Sequence, residues 1–308
     1  MTDEIATRDA YGSALLELGK KNKKVVALDA DLGDSTRSLK FGEEFPERYF
    51  SMGIAEQDMM GAAAGLSVSG KIAYASTFAI FTERAFDFVR NIISRNNLNV
   101  KIAGSHVGIG VGMDGKSAQA IEDTSIYRTL PNMVILEPAD AIETEKMVFG
   151  LADYEGSSYM RLNRNKVPNI HDKHYKFKIG KGEIIREGKD VTIFACGLPL
   201  HESLKAAEIL KGKIDVCVVN MSSIKPIDEK LIIDQAKKTP HIFTAEDHNI
   251  IGGLGSAVAE VITSNHPVFV HRIGVNDQYA ESGSPKELYE KYGLSAENIV
   301  ERIKEVVK

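Results

Sequence analysis

Residues 51–95 read SMGIAEQDMMGAAAGLSVSGKIAYASTFAIFTERAFDFVRNIISR. A helix is expected from about Ile54 to Ser69, where Ala62, Ala63, Ala64 and Gly65 are small enough for close helix packing. KIAYAST, from Lys71, is a short apolar run of strand length, and a second helix is expected from about Phe78 to Arg95. Helices of this length between short strands are the crossovers that parallel strands require.

The pattern extends in both directions. Upstream, Thr7 to Lys20 puts Ala10, Ala14, Leu15 and Leu18 on one helical face, and KVVALDA follows from Lys24. Downstream come VKIAGS from Val100, VILEP from Val134, a helix from about Glu143 to Tyr154, and SYMRLN from Ser158. Between Asn165 and Lys189 the pattern lapses into polar sequence interrupted by Pro168, which enters a short strand at Glu183 to Arg186. A second alternation then begins. VTIFACG starts at Val191, DVCVVN at Asp215, HIFTAED at His241 and VFVHRIGV at Val268, with helices between them and a last helix from about Ala296 to Val307. The expected fold class is α/β, with two domains, each a mainly parallel sheet flanked by helices. The expected boundaries are 1–168 and 189–308, with 169–188 as linker.

The 308 residues are 43% hydrophobic and 26% charged, enough for a sizeable core. A net charge of −5 with no basic block argues against nucleic acid or an anionic membrane as partner. No apolar run reaches the ~20 residues needed to span a bilayer. The polar start, MTDEIATRDAYG, has neither a secretory nor a transit character. Cys196 and Cys217 both sit in apolar strand-like runs and read as buried free thiols of a cytoplasmic protein.

Two phosphate-loop patterns coincide at Gly110 to Ser117, GVGMDGKS. The stretch fits G-x-x-x-x-G-K-S, and its first six residues fit G-x-G-x-x-G. Both need a glycine loop that leaves a strand directly and opens a helix. Here Ser105 to Ile109 intervene, including His106, and the strand is the third or fourth of its sheet. The context favours a loop whose glycines admit a close backbone approach. Nucleotide binding stays open as the alternative from a different class.

Glu56 opens the first quoted helix. An acid there complements the helix dipole, worth about 0.3–1 kcal/mol. That does not explain its apolar, small-residue setting, in which a carboxyl can share a proton with a partner. Phe78 and Phe81 fall at a strand-to-helix turn, where parallel sheets build ligand sites, and an aromatic ring there can cover a flat heterocycle. Phe88, further along, reads as core.

With these residues in view, the sequence resembles the C-terminal half of transketolase. GIAEQDM, STFAIFTERAFD, GSHVGIGVGMDG, AIEDTSIYRTLPNM, EPAD and TAEDHNIIGGLG occur in the family's order over nearly the whole chain. The resemblance implies a pyrimidine-binding domain followed by a C-terminal domain. It implies thiamine diphosphate as cofactor, with Glu56 as the carboxyl that promotes the imino tautomer of the aminopyrimidine and so removal of the thiazolium C2 proton. Phe81 matches the aromatic packed on the pyrimidine, with Phe78 beside it. Arg84 falls where relatives carry arginine or tyrosine, and its role is open. Ser35 and Arg164 match phosphate-binding residues, and a guanidinium fork suits a phosphate. His106 and Asp114, eight residues apart, match residues that bind substrate hydroxyls, and His106 is a catalytic candidate.

Departures also carry expectations. Ala118 stands where relatives have His or Gln, and Lys116 where they have Ala or Pro, which implies altered donor handling. No G-D-G motif occurs, so the Mg²⁺ and diphosphate site is expected on a separate N-terminal subunit, in an α2β2 heterotetramer inside which this chain dimerises. The expected reaction moves a two-carbon ketol unit from a ketose phosphate to an aldose phosphate. The β subunit of a 2-oxoacid dehydrogenase, a deoxyxylulose-phosphate synthase-like enzyme, and a non-catalytic scaffold remain alternatives. Glu246, Asp247 and His248 read as a polar turn at a strand end. Gly252, Gly253 and Gly255 allow either close packing or an anion.

Overall fold

The computed structural model describes residues 4–307. The chain divides into two compact units. The first holds the chain up to Val107 and Tyr127–Lys178, and the second holds Gly108–Ile126 and everything from Ile179 onward.

In the first unit, the strand Val25–Asp29 pairs in parallel with Tyr49–Ser51 on one side and Ile72–Phe78 on the other. Val100–Ser105, Ser157–Leu162 and Met133–Leu136 continue the sheet, all in parallel. The central strands are buried on both faces, which is why they read as unbroken apolar runs rather than alternating ones. Helices Glu56–Val68 and Ala141–Asp153 provide crossovers, and helix Thr7–Lys21 precedes the first strand of the sheet. A two-residue antiparallel bridge ties Ile5 to Val167 and Ala6 to Lys166.

One expected helix is different. Residues 79–94 form a chain of short segments: α at Ala79–Thr82, 3₁₀ at Glu83–Ala85, α at Phe86–Phe88 and π at Val89–Ser94. Interruptions of this kind recur near functional sites, and this one begins at Phe78, the last residue of its strand.

The second unit is a five-stranded sheet. Val270–Val275, His241–Asn249, Val191–Ala195 and Val216–Asn220 are parallel, and Glu183–Arg186 closes the edge antiparallel. Helices Leu198–Leu210, Glu229–Lys238, Leu254–Asn265 and Ala296–Val306 accompany it. Helix Pro285–Tyr292 has no counterpart in the sequence reading; a Ser284–Glu287 capping box starts it. Cys196 and Cys217 are buried free thiols. Among the described residues no helix is long and apolar enough to cross a membrane.

Candidate functional site

The strand ends of the first unit collect most of the candidate residues. Glu56 is the first residue of its helix and is 4% exposed. Arg84 Nε lies 3.5 Å from Glu56 Oε2, while the rest of the arginine side chain is largely exposed. Arg84 therefore has a definite neighbour, which sequence reading left open.

Phe78 is central. Its ring stacks on Phe81, with centroids 5.6 Å apart and planes within 6°. It also stacks on the His106 imidazole at 3.7 Å. Phe78 and Phe81 are both half-buried. The three rings form a row because the strands Ile72–Phe78 and Val100–Ser105 run side by side, with Phe78 opposite Ser105.

His106 follows directly, in left-handed backbone conformation (φ 61°) and 3% exposed. Its Nδ1 lies 2.6 Å from Ser105 Oγ, and its Nε2 lies 3.1 Å from Arg8 Nη1. Burial first, then the positive charges of Arg8, Arg164 and Arg37, push the imidazole down to about pKa 3. The ring is neutral at any physiological pH.

Arg8 was not singled out in the sequence. It sits in the first turn of helix Thr7–Lys21, where a cation opposes the helix dipole. That mismatch is the signal that could have found it. Its Nη1 donates to the carbonyl of Ser35 at 3.0 Å as well as to His106. Its Nε is buried and has no hydrogen-bond partner. Burial, then Arg37, lowers the Arg8 pKa.

The local chain explains the gathering. Asn163 N donates to Thr7 Oγ1 at 2.7 Å, and Arg8 N donates to Asn163 O at 3.2 Å. Together with the Ile5–Val167 bridge, these bonds bring Arg8 and Arg164 into one electrostatic neighbourhood. Ser35, half-buried, is held in the short helix Gly33–Thr36. Leu32 N just before that helix donates to the Asp29 carboxylate at 3.2 Å. Beside it, a cleft of about 310 Å³ is lined by Asp9, Gly33, Asp34, Arg37, Leu39, Lys40 and Glu43. The first unit thus carries two groups, Glu56 with Arg84, and Phe81, Phe78 and His106 with Ser35 and Arg164, to which it adds Arg8.

Asp114 belongs to the second unit, in the 3₁₀ segment Ile109–Asp114. The phosphate-loop look of Gly110 to Ser117 has a structural answer. The amides of Ile109 and Gly110 donate to the Asp247 carboxylate at 2.8 and 3.0 Å. The chain's own acid thus holds the amide of Gly110, the first glycine of the pattern, and the one before it, where a phosphate loop would leave donors free for an anion. Glu246, Asp247 and His248 do not form the expected turn; all three are buried within the strand His241–Asn249. Glu246 in turn accepts from Leu254 N and Gly255 N at 2.7 and 2.8 Å. That carboxylate occupies the start of helix Leu254–Asn265, and a Cβ at Gly253 would collide with it. The glycines there therefore admit an internal anion. Among the described residues, no group of three or more His, Cys, Asp or Glu is placed to hold a metal ion.

Comparison with known proteins places these features in one family. Residues 3–169 match the profile of the transketolase pyrimidine-binding domain, and residues 180–299 that of the transketolase C-terminal domain. The chain belongs to the transketolase family. Within it, the chain corresponds to the C-terminal section. It is 47% identical over 306 residues to a transketolase C-terminal section of Methanocaldococcus jannaschii, covering 98% of this chain and 96% of the relative. A 6-deoxy-6-sulfo-D-fructose transketolase subunit of Clostridium sp. strain MSTE9 is 39% identical, covering 98% and 94%. Human transketolase is 38% identical across 99% of this chain, which spans 49% of its length. A solved structure described as a split gene transketolase, inactive beta4 tetramer, superposes with a TM-score of 0.90 at 48% identity, covering 99% of each chain.

Proposed function

We propose that this chain is the C-terminal subunit of a two-chain transketolase that moves a two-carbon ketol unit between sugar phosphates. The observation that carries the reading is the ring row Phe81–Phe78–His106. Its His106 end lies beside a cluster of cations, Arg8 and Arg164, and the same unit carries a buried carboxylate, Glu56. A heterocyclic cofactor and an anionic substrate need these two chemistries side by side.

The residues suit thiamine diphosphate. A buried acid at a helix start can hydrogen-bond a ring nitrogen, and a half-buried aromatic pair can cover the ring face. When bound, the cofactor supplies the carbon nucleophile that carries the ketol unit. Glu56 holds the proton at the aminopyrimidine nitrogen, and Arg84 sets the position of its carboxylate. Phe81 and Phe78 pack on the ring and exclude water from it. Arg8 and Arg164 bind the sugar phosphate, with Ser35 as a further donor. His106, neutral, spends its ring nitrogens on Ser105 and Arg8 and so orients the Arg8 guanidinium without adding charge, and Asp114 accepts from sugar hydroxyls.

Diphosphate and Mg²⁺ binding falls to an N-terminal subunit, within an α2β2 heterotetramer in the cytoplasm. The support is that two relatives whose names or titles describe split sections have almost this chain's length. The two domains of the proposal, 1–168 and 189–308 with a linker at 169–188, lie close to the two profile matches. Lys116 and Ala118 leave the sugar pair to experiment. The test is to purify the native complex, identify the co-purifying chain, and assay transfer from xylulose 5-phosphate to ribose 5-phosphate with thiamine diphosphate and Mg²⁺. Activity that needs both chains supports the proposal; activity of this chain alone contradicts it.

A further inference from the structure

The glycine loop that carries Asp114 makes little regular structure of its own. Its 3₁₀ segment is broken at Gly112, and Gly108, Gly112 and Gly115 all have positive φ. Such a segment has weak internal hydrogen bonding and much conformational entropy to lose. Its shape must come from what grips it.

The grip comes from one buried strand end and one helix of the second unit. Asp247, 1% exposed, accepts from Ile109 N at 2.8 Å, Gly110 N at 3.0 Å and the Tyr289 hydroxyl at 2.8 Å. Gly108 lies so close to that carboxylate that a Cβ there would collide with it. The neighbours of Asp247 hold the returning arm of the loop. Asn249 N donates to Ile121 O at 2.8 Å, and Ser125 N donates to His248 Nε2 at 3.3 Å. Gly108 N closes the loop base on Ala120 O at 2.8 Å. Tyr289 is itself fixed in the capped helix Pro285–Tyr292, and Gly112 packs near Pro285 of the same helix. Gln119 Nε2 donates to Glu281 O at 3.1 Å.

A carboxylate taking three donors is a strong anchor, because each bond is charge-assisted. It also neutralises amides that would otherwise attract an anion to the loop. We infer that Asp247, supported by Tyr289, is a positioning residue for substrate binding: it fixes the backbone from which Asp114 reaches the sugar hydroxyls. The second unit thereby sets sugar affinity through the loop it grips. This inference rests on the reading of Asp114 as a substrate-binding residue.

The experiment uses the complex with its partner chain and three variants, Asp247→Asn, Tyr289→Phe and Asp114→Asn. Asp247→Asn keeps the shape but turns an amide donor toward N–H donors. It should raise KM for xylulose 5-phosphate about tenfold, with kcat within about threefold of the parent. Thiamine diphosphate affinity, measured by calorimetric titration, should stay unchanged. Tyr289→Phe removes one donor and should shift KM in the same direction by a few fold. A KM unchanged in Asp247→Asn while Asp114→Asn raises it overturns the positioning role and leaves Asp114 standing. A KM unchanged in Asp114→Asn removes the basis of both. A fall in thermal stability with no KM change makes Asp247 structural only, which also overturns the inference. If Asp247→Asn does not assemble, Tyr289→Phe decides by the same KM criterion.

Discussion

Arg8 Nη1 lies 3.1 Å from His106 Nε2, and arginine has no acceptor to offer. Nε2 is therefore the acceptor, and the imidazole proton sits on Nδ1, facing Ser105 Oγ at 2.6 Å. One contact thus fixes the tautomer of His106 and gives it a neutral role. A general acid or base cycling near neutrality would need the opposite environment.

The first expected outcome concerns that titration. His106, pushed down to about 3, should show no NMR titration between pH 5 and 8. The sign for stability follows from linkage. Below its ordinary value of 6.5 the unfolded chain binds a proton that the folded chain refuses, so His106 lowers stability as pH falls from 6.5 toward 3. His106→Gln should flatten that part of the pH–stability curve. Arg8→Met should raise the His106 pKa only partway, because burial is the larger cause.

Arg8 should matter for substrates that carry phosphate. Removing a charge-assisted donor weakens phosphate binding by about 1.5–3 kcal/mol, or roughly ten- to a hundredfold. Arg8→Met should raise KM for a phosphorylated donor by that factor and leave KM for a non-phosphorylated ketol donor nearly unchanged. Equal losses with both donors would assign Arg8 to local structure.

A third outcome concerns the end of the first unit. Asp140 caps helix Ala141–Asp153 through Glu143 N, and also accepts from Ile170 N, His171 N and His171 Nδ1, each at 2.8 Å. Burial pushes its carboxyl up, but these hydrogen bonds outweigh burial and hold it below the usual carboxylate value. The stabilisation is present above the unfolded-state value and is lost as pH falls through the folded one. Asp140→Ala should cost about 3 kcal/mol, from a lost cap and stranded donors. Calorimetry should record it as a lower Tm with cofactor affinity retained; an unchanged Tm contradicts the assignment.

Most strands of both units were legible because buried parallel strands advertise themselves as apolar runs between helices; the short, exposed Tyr49–Ser51 was not. Val100–Ser105 and Glu183–Arg186 begin and end where their patterns do. The site was only partly legible. Glu56, Phe78 and Phe81 stand out locally, since they sit at element boundaries. Arg8 does not, because its meaning depends on Asn163 and His106, far away in sequence. Residues 79–94 read as one helix because periodicity does not distinguish α from π turns. Glu246, Asp247 and His248 read as a turn because polarity normally marks the surface. Here two donors that satisfy Asp247 come from a loop more than a hundred residues earlier, and a third is the Tyr289 hydroxyl.

The central claim is that Glu56 and a partner chain together make a transketolase site. Its most direct test is ketol transfer from xylulose 5-phosphate by the purified two-chain complex, with the parent chain and with Glu56→Gln, beside the cofactor affinity of each. Activity is expected only when both chains are present. A loss of at least about a hundredfold is also expected in Glu56→Gln, with thiamine diphosphate still bound. Full activity in Glu56→Gln, or in this chain without its partner, would contradict the claim.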